Sequence, residues 1–337
     1  MDTWHELKEQ LEGAVRDLSG LSDDTRTQLR DDMQHLRRIV VAPRTPRIAV
    51  VGKANVGMQS LLASFGASVA DWDVREALGQ GRWYDHVTPH GPLRIADLRD
   101  EAGGCARPLE YEQPDLLLAV ARSEDEDVAA VADALIAALD CADDVWGDYP
   151  PAIVAVFRAD GGRSAGDFKT IQALKDAFAA RGLSRDFVEV VAASRSEKLA
   201  GAIVAQAPDD IKLTLVRMTD DRAAKQALAE EVVRIASSVS AAIATIPIPM
   251  ADIVPITTAQ MTMIAAVAYV SGRPVNLRTI GEFLAAVGLN VGAGMALRSM
   301  VRALARLIPF AGPVVSATVA AAATRTLGNA AIRHFIR

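Results

Sequence analysis

Three patterns of apolar and polar positions follow one another along the chain. Over residues 2–40 the apolar residues recur every three or four positions. Trp4, Leu7, Leu11, Val15 and Leu18 form one seam, and Leu29, Met33, Leu36 and Val40 form another. That spacing predicts two amphipathic helices broken at Ser19-Gly20, with Ser22, Asp23 and Asp24 capping the second. The expected arrangement is a helical hairpin packed on the rest of the protein. A dimerising coiled coil is the alternative, for which each seam is short. Pro43 and Pro46 then mark a linker.

From Arg47 the pattern changes to short apolar runs alternating with helical stripes. Strands are predicted over 48–51, 82–87, 93–97, 115–121, 153–157 and 187–192, and helices over 57–65, 125–139 and 167–181. Thr88-Pro89-His90-Gly91 reads as the turn of a hairpin between the second and third strands. Runs such as Leu116-Leu117-Leu118-Ala119 are apolar at every position, so they suit strands buried on both faces. The prediction is an α/β domain with a mainly parallel sheet, helices on both sides and one antiparallel edge.

After Ile211 no strand pattern returns. A long helix is predicted over 220–244, followed by a break at Ile246-Pro247-Ile248-Pro249. Residues 253–272 and 307–324 then carry no charge, runs of 20 and 18 residues. These lengths approach what spans a bilayer. The runs are, however, rich in Ala and Thr and interrupted by Pro255, Pro309 and Pro313. A buried soluble bundle, insertion, and a surface-lying amphipathic segment all stand at this point. The division expected is a hairpin over 1–42, an α/β domain over 47–205 and an all-α domain over 220–337.

Composition sharpens this division. Half of the 337 residues are hydrophobic but only 5% are aromatic, so small aliphatic side chains dominate the core. The net charge of −6 is uneven: residues 232–337 hold nine Arg, no Lys and two acids, and the remainder carries a net −13. An acidic front half without interleaved basic and aromatic residues argues against nucleic-acid binding. The arginine-rich back half admits an anionic membrane surface, and the alternative is that the two halves attract each other; an unknown protein partner and another copy of the chain stay open. Cys105 and Cys141 have no metal-ligand spacing; two free thiols in a reducing compartment are expected, with a single surface disulfide as the alternative. The N-terminus lacks a basic region followed by an apolar run, so the cytoplasm is the expected location, with peripheral or integral placement at the membrane's inner face as the variant.

One turn should carry chemistry. A phosphate-binding P-loop needs GxxxxGK[ST] between a strand and a helix. Backbone N–H groups surround the phosphates, the lysine holds them, and the hydroxyl binds Mg²⁺. Here the first strand runs into Gly52, Lys53, Ala54, Asn55, Val56, Gly57, Met58, Gln59 and Ser60. Both glycines are in register. Met58 stands at the lysine position and Gln59 at the Ser/Thr position.

The run GKxNVG followed by SLL resembles the Era-like bacterial GTPases, whose motif reads GKxNVGKSSLL. Ser60 matches the second serine of that motif. The resemblance extends to later motifs, each altered. DxxG reads Asp97-Leu98-Arg99-Asp100, and NKxD reads Phe157-Arg158-Ala159-Asp160. Thr88 is the nearest match to the Mg²⁺-closing threonine, and the last motif falls near Ala192-Ala193-Ser194. The resemblance implies a P-loop NTPase fold of GTPase type, with GTP or GDP against Gly52–Ser60, Asp97 and Asp160. Losing the lysine and the hydroxyl removes charge-assisted contacts of roughly 1.5–3 kcal/mol each. Nucleotide binding is therefore expected to be weak or absent, Mg²⁺ loses a ligand, and no catalytic residue is assigned.

Downstream, Gly288, Gly292 and Gly294 precede Arg298, Arg302 and Arg306, spaced for one helix face. This part, from about Ala223, resembles the C-terminal helical domain of the YcjF-type GTPase-associated family, and that resemblance implies membrane association. The combined expectation is a GTPase-like pseudoenzyme with a regulatory or scaffolding role. The alternatives are a slow GTPase with an atypical P-loop, and a structural membrane-associated scaffold with a relic G domain.

Overall fold

The computed structural model describes residues 44–52, 57–66, 82–99, 107–122, 128–157, 165–180, 188–192, 196–244, 253–287 and 317–336, with Thr27, Asp31 and Gly182. The expected N-terminal hairpin lies outside them. The chain divides into two compact units, Arg44–Asp221 and a second that comprises Arg222–Arg337 with Met1–Pro43.

The first unit is an α/β domain. Its strands are β1 (Arg47–Gly52), β2 (Trp83–Thr88), β3 (Gly91–Asp97), β4 (Leu116–Arg122), β5 (Ala152–Phe157) and β6 (Val188–Ala192). Its helices are α1 (Met58–Ser64), α2 (Arg107–Tyr111), α3 (Val128–Trp146), α4 (Ala165–Ala180), α5 (Ser196–Gln206) and α6 (Asp209–Met218). The strands form one sheet in the order β2-β3-β1-β4-β5-β6, in which only the β2–β3 pair is antiparallel. The mainly parallel sheet with an antiparallel edge is thus as the apolar runs predict.

Alternate residues of the strands point to opposite faces. Ala49, Val51, Ala96 and Leu98 pack with Leu117 and Val154 against Leu135 and Leu139 of α3 and Phe178 of α4. Ile48, Val50, Ile95 and Leu118, which the two-residue period turns to the other face, are fully buried as well. Both faces are covered, which is why these strands carry no polar alternation. α3 runs on to Trp146, seven residues past the predicted helix end. The helices α5 and α6, not assigned from periodicity, complete the unit.

A buried carboxylate ties its lower edge together. Asp115, just before β4, accepts from Arg44 Nη1 at 2.7 Å, Arg44 Nη2 at 2.6 Å and the Arg47 backbone N–H at 2.8 Å. Arg44 Nε also donates to Asp210 in the first turn of α6, at 2.8 Å. Burial alone would lower the Arg44 pKa, but the hydrogen bonds and charges of Asp115 and Asp210 outweigh it and raise it.

The cysteines correct an expectation. Cys141 of α3 is disulfide-bonded rather than a free thiol. Cys105, the chain's other cysteine, lies outside the described residues. Compartment rules say nothing about which cysteines the fold brings within bonding distance, and proximity decides pairing.

The second unit is helical: α7 (Arg222–Ile243), α8 (Ile253–Val270), α9 (Leu277–Ala286) and α10 (Ala317–Phe335). α10 packs on α7 and α8, and α8 on α7 and α9. Asn276 caps α9, its side chain accepting from the Thr279 N–H at 2.8 Å. Gly328 of α10 sits so close to α7 and α8 that a Cβ there would meet Val233 side-chain carbons at 2.5 and 2.6 Å and the Met263 sulfur at 2.9 Å. Aliphatic side chains and a glycine contact build most of this core, with Phe283 of α9 against Phe335 of α10.

Among the described residues no helix is long and apolar enough to cross a membrane. From Ile256 to Val270, α8 is buried at every position except Tyr269. A helix buried all round reads as uniformly uncharged whether its surroundings are protein or lipid. Its Gln260 Nε2 donates to Thr324 Oγ1 at 3.0 Å, and Thr324 Oγ1 donates to Ser240 Oγ at 3.0 Å, joining α8, α10 and α7 through a buried polar chain. The second run is helical, among the described residues, only from Ala317, in a helix that also carries Arg325 and Arg333. Among the described residues, the integral variant of the expected location finds no spanning helix.

Candidate functional site

In parallel α/β sheets, ligands bind beyond the carboxyl ends of the strands, where connections leave in opposite directions. Here β1 feeds the β2–β3 side and β4 feeds β5, so that point lies between β1 and β4. The turn after β1 starts there. Gly52 pairs with Val120 of β4. Its φ is +114°, and a Cβ would collide with the Val120 carbonyl oxygen. Only glycine fits so tightly against β4 in that conformation. Gly57 closes the turn at the start of α1 with φ +78°, again left-handed, and its carbonyl accepts from the Leu61 N–H at 2.8 Å.

The residues between, Lys53, Ala54, Asn55 and Val56, lie outside the described residues. Met58, at the position where a P-loop has its lysine, is buried, whereas Gln59 is exposed and Ser60 half-buried. An apolar side chain thus sits inside at the lysine position, and the amide at the magnesium-ligand position faces solvent.

Asp97 ends β3, beside Val50 of β1, at the same edge of the sheet. Its carboxylate is taken up by a neighbour that sequence reasoning passed over. Arg99 Nε donates to Asp97 Oδ1 at 2.7 Å, and Arg99 Nη2 to Oδ2 at 2.7 Å, a bidentate pair. The Arg99 backbone N–H adds a third bond to Oδ1 at 3.2 Å. Asp97 and Arg99 are only 4% and 2% exposed. The signal was present as Asp-x-Arg at a strand end, where residues two apart lie on one side.

Thr88 requires a correction. Its hydroxyl donates to the Gly91 carbonyl at 2.7 Å and accepts from the His90 N–H at 3.2 Å, clamping the β2–β3 turn. That turn is at the start of β3, and Asp97 is at its end. Six residues of strand put about 20 Å between them. Thr88 therefore does not join Gly52, Gly57 and Asp97.

The residues described do not fit the Mg²⁺ site of an intact P-loop. Thr88 is at the other edge, Gln59 carries no hydroxyl and faces solvent, and Asp97 is neutralised by a guanidinium. Among the described residues no three His, Cys, Asp or Glu side chains group into a metal site. Asp100, Asp160 and the Arg298, Arg302 and Arg306 stripe lie outside the described residues, as does the turn near Ser194.

No protein-family model matches the chain, and no curated protein matches it.

Proposed function

We propose that the first unit is a GTPase-like pseudoenzyme domain: a P-loop fold kept as a binding or regulatory module, without phosphoryl-transfer activity. The bidentate Asp97–Arg99 pair carries this reading. Phosphoryl transfer depends on a metal ion and a lysine that neutralise charge developing on the phosphates. In this chain Met58 stands in the lysine's place, and Arg99 holds the carboxylate that would orient the metal. The strand order supports the P-loop assignment. It differs from the 3-2-1-4-5-6 and 2-1-3-4-5 orders of the two common doubly wound folds, and β1 lies centrally with its turn at the switch point. The left-handed Gly52 and Gly57 bracket the turn in which a P-loop holds its phosphates, so residual anion binding through backbone N–H groups is compatible with this role.

The second unit serves association with a protein partner, with an anionic surface at the Arg298/Arg302/Arg306 stripe as its membrane form. Flotation with phosphatidylserine vesicles tests that form: a chain that stays with the soluble fraction sinks it.

Titration with fluorescent GTP and GDP, with and without Mg²⁺, tests the pseudoenzyme reading. The expected result is binding weaker than that of an intact P-loop by about 10²–10⁴-fold, from two lost charge-assisted contacts. It should be indifferent to Mg²⁺, with no phosphate released. Micromolar, Mg²⁺-dependent GTP binding with turnover would overturn the reading. Met58→Lys with Gln59→Ser should raise affinity only modestly while Arg99 holds Asp97. Adding Arg99→Ala should make the gain Mg²⁺-dependent.

A further inference from the structure

The opposite edge of the sheet carries a surface that the nucleotide reading does not use. α2 ends at Tyr111, just before β4, and α3 ends at Trp146, just before β5. Both ends lie at the amino ends of parallel strands, away from the Gly52 turn. They are joined directly: Trp146 Nε1 donates to the Leu109 carbonyl of α2 at 2.7 Å. That bond ties the indole to the end of α2 while the residue stays 39% exposed. Tyr111, two residues after Leu109, is 76% exposed, and Tyr149, three residues after Trp146, is 42% exposed.

In a chain with four tryptophans and four tyrosines, three exposed aromatics at one edge are a concentration of contact surface. Scattered exposed apolar residues are ordinary, but a clustered aromatic patch marks a contact site. Anchoring makes it more suitable, since an indole already held by a hydrogen bond loses little freedom on binding.

The rim gives the partner's charge. Residues 107–115 and 140–150 contain seven acids and one base, the exposed Arg107. Glu112 is engaged by Arg94 and Asp115 by Arg44 and Arg47. Glu110, Asp140, Asp144 and Asp148 are exposed around the aromatics. The charges of Asp143, Asp140 and Asp144 act on Tyr149, whose pKa is raised chiefly by Asp143. Such a rim repels phosphate-bearing surfaces and attracts cations.

The geometry points to a docking site for an arginine-bearing segment of a partner protein, with guanidinium groups stacked on Trp146, Tyr111 and Tyr149 and paired with the acidic rim. A planar guanidinium serves both contacts at once, which an ammonium does not. This surface is independent of whether the Gly52 turn binds nucleotide.

The test uses the full chain and two synthetic decapeptides of equal charge, one alternating arginine with alanine and one alternating lysine with alanine, by calorimetry. Saturable one-to-one binding is expected, tighter for the arginine peptide. Tyr111→Ala with Tyr149→Ala, which changes no charge, should weaken it about tenfold, as two exposed cation–π contacts require. Asp144→Lys with Asp148→Lys should weaken it further. All four positions are exposed, so an unchanged melting temperature should confirm that these variants fold. Equal affinity for both peptides, or an arginine affinity indifferent to the tyrosine pair, would reduce the patch to bulk charge and overturn the proposal. A dimer of the chain that the tyrosine pair dissociates would also overturn it, by assigning the surface to a second copy.

Discussion

Two carboxylates at opposite edges of one sheet end up against arginines, and they do different work. Asp115 collects its donors from Arg44 and Arg47, 71 and 68 residues away, and Arg44 continues to Asp210, 166 residues away. Asp97 takes its donors from Arg99, two residues on. The first cluster closes long loops and fixes where β1, β4 and α6 meet. The second closes nothing. Because a buried ion pair carries a desolvation cost that its attraction only partly offsets, it is weak evidence for stability on its own. A local pair at the ligand edge of a sheet is therefore better understood by what it occupies than by what it holds up.

That contrast can be broken at several points. Asp115→Ala should have the largest effect, about 3–5 kcal/mol in urea unfolding, since it removes the buried acceptor shared by two half-buried arginines and the Arg47 backbone N–H. Arg99→Ala should cost about 3 kcal/mol by leaving the Asp97 charge buried and unpaired. The decisive measurement is the double replacement Asp97→Leu with Arg99→Met. It should return to within about 1 kcal/mol of the parent, because a local ion pair replaced by apolar groups is often neutral. If that double variant unfolds as readily as Arg99→Ala alone, the pair is structural after all and the contrast fails.

Gly328→Ala offers a reference from the helical unit. The added methyl would meet Val233 and Met263, and overpacking of this kind costs about 1–3 kcal/mol. Thermal unfolding should register it while the Asp115 and Asp97 sites stay intact.

The smallest expected effect is spectroscopic. Tyr149 has a raised pKa, chiefly from the negative charge of Asp143, with burial and Asp140 adding to it. A tyrosine raised in the folded state favours folding below the ordinary pKa of about 10, and that contribution is lost as pH rises through the folded value. Absorbance at alkaline pH should show a tyrosine titrating above the ordinary range, and Asp143→Asn should lower it. No change in that variant would remove the acidic rim's influence on the ring.

Much of the first unit was legible in the sequence, for a physical reason. Strands buried on both faces must be apolar at every position, so Leu116-Leu117-Leu118-Ala119 announces itself, as do 48–51 and 153–157. The glycines were legible too, because a left-handed turn pressed against a neighbouring strand admits nothing else. Thr88 was misassigned because nearness in sequence to β3 was taken for nearness to its end, and an antiparallel hairpin puts its turn at the far edge. Arg99 was missed because a degenerate motif was read position by position against what it had lost.

What the sequence by itself determined is the layered α/β unit, the helical character of the back half and the uncharged composition of 253–270. Each follows from local periodicity, which one chain segment carries alone. The tertiary structure decided the rest: that α8 is uncharged because α7, α9 and α10 are packed on it, that Asp97 faces a guanidinium, and that Trp146 is tied to the end of α2. Those outcomes depend on which distant residues the packing brings within 3 Å or so of one another, the reach of a hydrogen bond, and no periodicity encodes that.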